Sequence, residues 1–154
     1  MRRILTHLLA AAAIALLAAG PAAATTAATT GNAPTIVTEP IDQSGSHEEP
    51  DGSVTTYRQL GTRTIFTFPD GRSMLRESYT DHQVLTDASG ALIFESLAEI
   101  TSHVVARDER TIQFRSTNET TMTYGDGSVC TMSMVFVVAN DKVVKWEQIG
   151  PICS

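Results

Sequence analysis

Along residues 110–153, apolar side chains recur at alternate positions. They are Ile112, Phe114, Met122 and Tyr124, then Cys130, Met132, Met134, Phe136 and Val138, then Val144 and Trp146. A period of two places one set of side chains on one face of a strand and marks that face for burial. Between these runs stand Gly125-Asp126-Gly127 and Asn140-Asp141-Lys142, both suited to hairpin reversal. The stretch predicts three consecutive strands. Keeping the apolar faces together across the second turn pairs Val138 with Val144 and Phe136 with Trp146, over a three-residue loop.

Upstream the texture is similar. Residues 54–60 include Val54, Thr55, Thr56 and Tyr57, and Gly61 either kinks one long strand or separates two. Residues 62–68 set Phe66 and Phe68 on one side and Arg63 and Ile65 on the other. Pro69-Asp70-Gly71 is a turn signal, with Pro presetting one dihedral and Gly taking the left-handed position. Residues 73–80 return with Leu75 and Tyr79 on one face, and residues 81–90 read as irregular, ending in the turn-like Asp87-Ala88-Ser89-Gly90.

Residues 91–105 admit two readings. As a strand they place Leu92, Phe94, Ala98, Ile100 and Val104 on one face, with Glu95, Glu99 and His103 on the other. As a helix, Ile93, Leu97 and Ile100 make only a short stripe. Ile, Thr and Val dominate the second half, which favours the strand. Asp108-Glu109 then turns the chain into the final meander. The whole predicts an antiparallel all-β domain over 53–154. Nearest-neighbour hairpins favour an up-and-down meander closing into a small β-barrel, which would also remove exposed edges; a β-sandwich is the alternative.

The N-terminal part changes the picture from fold to address. Met1-Arg2-Arg3, the apolar run Ile4 to Ala19 and the small residues Ala22-Ala23-Ala24 have the layout of a secretory signal peptide over 1–24. The apolar run is shorter than the roughly 20 residues of a membrane span. The expected product is a secreted protein, extracellular or in the cell envelope, cut near Ala24 and without stable membrane insertion. Residues 25–52 then read as a flexible leader and open linker, with one short strand over 35–38.

Loss of Arg2 and Arg3 from the 11 Lys and Arg leaves nine against 17 acids, a formal charge of −8. That balance excludes nucleic acid and anionic membrane as natural partners, because both need basic patches. In an exported chain, Cys130 and Cys153 are expected to form a disulfide. The register above puts Cys130 opposite Ile152, one residue from Cys153, just after Gly150-Pro151.

Candidate chemistry is sparse. His47 sits beside Glu48 and Glu49 in a polar stretch, and His103 falls on the polar side of its strand. Asp81-His82 is a weak acid-base candidate, provided that a turn bends the two side chains together. There is no Gly-x-Ser-x-Gly elbow, no phosphate-binding loop, no EF-hand spacing and no metal-ligand spacing; neither a cofactor nor a metal is called for. Asn118-Glu119-Thr120 matches the glycosylation pattern, but the Ala-rich leader suggests a bacterial protein, in which the match has no meaning.

The more informative residues interrupt the apolar face. Ser116, Asn118 and Thr120 lie between Phe114 and Met122, and Ser96 and Ser102 interrupt the apolar side of 91–105. Small polar groups pointing inward can line a cavity, with Met132 and Met134 as adaptable walls. Ser116, Asn118, Thr120, Met132 and Met134 are the candidate ligand-binding set.

The run from Arg63 to Arg72 through Phe66, Phe68 and Pro69-Asp70-Gly71, followed by Tyr124-Gly125-Asp126-Gly127-Ser128, resembles small secreted actinobacterial-type β proteins of unassigned function. Residues 135–147, with Trp146 near the end, also look like the terminal hairpin of nuclear-transport-factor-2-like domains, which implies N-terminal helices against the sheet. Neither resemblance supplies a catalytic residue. The expected function is a secreted β-barrel binding or interaction protein, with a small apolar ligand in its lumen or an extracellular protein as partner. A barrel-type cyclase or isomerase using Asp81 and His82 at the mouth, and a structural envelope factor, are the alternatives.

Overall fold

A computed structural model describes Thr25–Ala27 and residues 33–107 and 110–154. The expected signal peptide and the turn at Asp108-Glu109 lie outside these residues. All described elements are strands, and none is a helix long and apolar enough to cross a membrane. The strands are β1 (Thr25–Ala27), β2 (Thr35–Glu48), β3 (Val54–Thr67), β4 (Arg72–Thr86), β5 (Leu92–Arg107), β6 (Arg110–Tyr124), β7 (Val129–Ala139) and β8 (Lys142–Cys153). They form one antiparallel sheet in chain order. The up-and-down meander is as predicted; a second sheet, which a sandwich needs, is not present among the described residues. Among the described residues the sheet is open, with β8 paired only to β7 and β1 only to β2.

The registers divide the side chains into two faces. Val37, Ile65, Leu75, Val104, Phe114 and Val138 stand in one cross-strand row. They belong to the apolar face, which also holds the buried Ile41, Ala98, Met122 and Cys130. The opposite face is more polar and rich in threonine, with Thr38 against Thr64 and Thr101 against Thr117 joined through their hydroxyls, although Ile36, Phe66, Met74 and Val105 form an apolar row at one end of it. Such cross-strand pairs are the unit by which a sheet is stabilised.

Two segments read as loop are strand. Glu39 to Glu48 continues β2, pairing residue by residue with β3 from Arg63 to Val54. Pro40 is tolerated because, among the described residues, β1 covers only Ile36, Val37 and Thr38, leaving the rest of β2 as a sheet edge. Asp81 to Thr86 likewise continues β4, with Leu85 opposite Phe94 on the apolar face. The ambiguous stretch after Gly90 is the strand β5, as its β-branched residues favoured.

Gly61 does not split β3, which runs unbroken from Val54 to Thr67. It lies across from Tyr79, and a Cβ there would meet the Ser78 carbonyl oxygen at 2.1 Å. Gly45 faces Tyr57 in the same way, with the ring occupying the space a side chain would need. The Tyr57 ring covering Gly45 restores packing that the glycine lacks.

The turns share one design. The Gly52, Gly71, Gly90 and Gly127 amides donate to the carbonyls of Glu49, Phe68, Asp87 and Tyr124, each glycine with φ between 82° and 85°. In these turns Asp51, Asp70, Asp87 and Asp126 accept backbone N–H bonds from the residue two places on. The last turn differs from expectation. Ala139 pairs with Lys142, so the loop is Asn140-Asp141 alone, with φ of 49° and 60°. Two left-handed residues are what a type I′ hairpin requires, and Asn and Asp accept that conformation most readily.

Candidate functional site

The five candidate residues on β6 and β7 come together. Asn118 lies across from Met134, Thr120 from Met132 and Ser116 from Phe136, all on the apolar face. The Thr120 hydroxyl donates to Asn118 Oδ1 at 2.6 Å, joining these two polar side chains within the patch. Aromatic rings continue the surface toward the sheet edge. Phe114 and Phe136 meet at 6.0 Å between centroids, and Phe136 and Trp146 at 5.4 Å, both edge to face.

Beside this patch runs a polar belt that sequence reasoning missed. Arg63 Nε donates to Glu77 Oε1 at 2.7 Å, and the Ser102 hydroxyl donates to Glu77 Oε2 at 2.9 Å. Both partners of the ion pair are largely shielded from solvent. Burial raises the Tyr79 phenol above its ordinary value, and the nearby carboxylates of Glu77 and Asp81 push it the same way. The signal was in the sequence: Glu77 falls in phase between Leu75 and Tyr79, where an alternating pattern should show another apolar residue.

Asp81 and His82 are not brought together. They are consecutive residues of an unbroken strand and point to opposite faces. Asp81 is buried on the apolar face, accepting a bond from Gln83 Nε2 at 2.7 Å, with Oδ1 lacking a partner among the described residues. His82 lies on the polar face with Nε2 2.6 Å from Glu95 Oε1. The turn that such a dyad requires is absent, because the strand runs on to Thr86. His47 pairs loosely with Glu49 at 3.6 Å, both exposed. His103 is half-buried: it stands between Arg76 and Arg115, with Nε2 buried and without a partner among the described residues. Among the described residues, no three His, Cys, Asp or Glu side chains converge as a metal site.

The disulfide joins Cys130 to Cys153. The two residues are direct cross-strand partners rather than diagonal neighbours. A register shift between Thr131 and Ser133, opposite Gly150-Pro151, advances β8 and brings Cys153 level with Cys130. Pro151 has no N–H to give the ladder, so it belongs at such an irregularity.

Two open depressions, of about 410 and 320 Å³, lie side by side. Glu99 and Glu119, direct cross-strand partners on the polar face, border both. Both open mainly on the polar face; Asn118 adjoins the larger and Thr120 and Met132 the smaller, although those three side chains point to the apolar face. Neither is an enclosed lumen. Compared with protein-family models, curated proteins and solved structures, the chain matches none.

Proposed function

We propose that this is an exported binding or interaction protein that takes a small, elongated apolar ligand across the apolar face of its sheet, over β6 and β7. One observation carries the reading. Only Ile41, Ala98, Met122 and Cys130 are buried among the described apolar residues, so a continuous aromatic and methionine surface is left half open. A single sheet gains little by exposing such a surface, and large exposed apolar patches mark interaction sites. Met132 and Met134 supply an adaptable contact, while Ser116 and the Asn118–Thr120 pair offer polar groups that orient a ligand head. Export fits the disulfide, which persists only outside a reducing compartment.

The test is titration of the purified protein with a fluorescent fatty-acid probe, followed by competition with lipids extracted from an expressing host. Met134→Glu should weaken probe binding by at least about tenfold, as expected for a charge placed in an apolar contact, with thermal stability little changed. Glu99→Gln, on the other face, should leave it unaltered. Equal binding by all three proteins, or equal loss in both variants, overturns the reading.

A further inference from the structure

The two edges of the sheet are built differently. Beyond the three residues covered by β1, the β2 edge carries Pro40 and the charged Glu39 and Asp42, which discourage strand addition. The β8 edge presents more apolar surface: Val143, Val144, Trp146, Ile149 and Ile152 are all more than half exposed, alongside Lys142, Lys145 and Glu147. Its irregularities lie at its ends, one at the Val137/Val138 step and one opposite Gly150-Pro151. Lys145 to Ile149 between them is regular, each residue matched in turn with Val137 to Ser133.

From this we infer that β8 is a self-complementary docking edge, which pairs antiparallel with β8 of a second copy about a two-fold axis at Trp146. Charge selects both the occupant and the register. Lys145 and Glu147 lie on the polar face, flanking Trp146 on the apolar face. With Trp146 at the axis, Lys145 of each copy stands opposite Glu147 of the other, giving two reciprocal ion pairs. Moving the axis to Lys145 or to Glu147 sets like charges directly opposite, which is destabilising. Within one copy, Lys145 Nζ and Glu147 Oε2 are already 2.7 Å apart, so the two groups are held where the partner's charges would arrive.

The aromatic row gives an independent reason. Phe114, Phe136 and Trp146 form a ladder that stops at Trp146, 52% exposed at the edge. A two-fold axis perpendicular to the sheet puts the apolar faces of both copies on one side. The ladder then continues into the second copy through a Trp146–Trp146 contact. An isologous interface of this kind closes on itself and leaves no growing edge at β8.

Sedimentation and tryptophan emission of the purified protein test the inference, because Trp146 is the chain's single tryptophan. The expected result is a concentration-dependent dimer whose emission shifts to the blue as it forms. K145E should weaken association by at least about tenfold, since each substitution acts twice across the axis and replaces attraction with repulsion. The double variant K145E/E147K restores the opposite pairing and should recover the dimer. Mixing K145E with E147K should give heterodimer from two poorly associating chains. A monomer at all concentrations, whether its tryptophan is solvated or shielded by closure onto β2, overturns the inference. So does a dimer indifferent to K145E, or one not recovered by the double variant.

Discussion

Cys153 lies directly across from Cys130, their Cα atoms 4.0 Å apart, at the residue where β8 ends. Cys130 is buried on the apolar face while the strand that Cys153 closes is exposed along nearly all its length. The bond therefore ties an outer strand to the sheet where side-chain burial gives little help. With the two cysteines 23 positions apart in sequence, the chain-entropy model assigns the crosslink about 3 kcal/mol. Cys130→Ser with Cys153→Ser should lower unfolding free energy by about that amount in denaturant titration. Amide exchange should show β8 losing protection before β3 to β6.

Gly61 has no room for a side chain. A Cβ would come within 2.5 Å of Tyr79 Cα as well as meeting the Ser78 carbonyl oxygen, and both are backbone atoms that cannot swing aside. Gly61→Ala should destabilise the sheet by about 1–3 kcal/mol, the range for overpacking. Gly90→Ala provides a contrast: nothing stands within 4 Å of its added Cβ, and its φ of 85° is the only objection. Thermal denaturation of the pair separates loss of space from loss of conformational freedom.

The Arg63–Glu77 pair is shielded within the apolar face, and Ser102 depends on the same carboxylate. Glu77→Ala would strand a guanidinium and a hydroxyl together. The expected loss is about 2–3 kcal/mol by chemical denaturation. Replacing both charges, Arg63→Met with Glu77→Leu, should recover most of it, because two apolar side chains extend the apolar face beside the row from Val37 to Val138 without a desolvation penalty.

Acid should loosen the hairpins through their aspartates. Hydrogen bonds from the side chains of Ser53, Arg72, Ser89 and Ser128 hold Asp51, Asp70, Asp87 and Asp126 below their ordinary carboxyl values. A carboxyl whose folded pKa is depressed contributes stability that is present above its unfolded pKa. That contribution disappears as pH falls through the folded value. Stability should therefore decline below about pH 4. Ser53→Ala, Ser89→Ala and Ser128→Ala combined should flatten that decline, read as the melting temperature across an acid pH series.

The alternation of residues 110–153 was sufficient to place β6 to β8, and Phe136 does stand opposite Trp146. Alternation reports which side chains share a face, and that is a local property of an extended chain. It says nothing of where one strand gains a residue on its neighbour. Val138 accordingly pairs with Val143 instead of Val144, and Cys130 with Cys153 instead of Ile152. Composition misled at 39–48, where proline, glycine and acids suggested a linker. Those residues suit an edge strand for the reason they suit a loop: the backbone has an unpaired side.

The candidate site divides in the same way. Ser116, Asn118 and Thr120 were legible as interruptions of an apolar run, and the fold gathers them with Met132 and Met134 because β6 and β7 are sequential neighbours. The Glu77 network joins β3, β4 and β5, and no single strand's pattern announces which charge meets which. Asp81 and His82 are adjacent in sequence and separated by the thickness of the sheet. By itself the sequence determined strand order, face and the cysteine partnership, because each follows from period, turn chemistry and connectivity along the chain. Only the tertiary structure decided that the sheet stays open, since edge geometry is the sum of twist and register over all strands. That leaves Trp146 at an edge instead of inside a barrel.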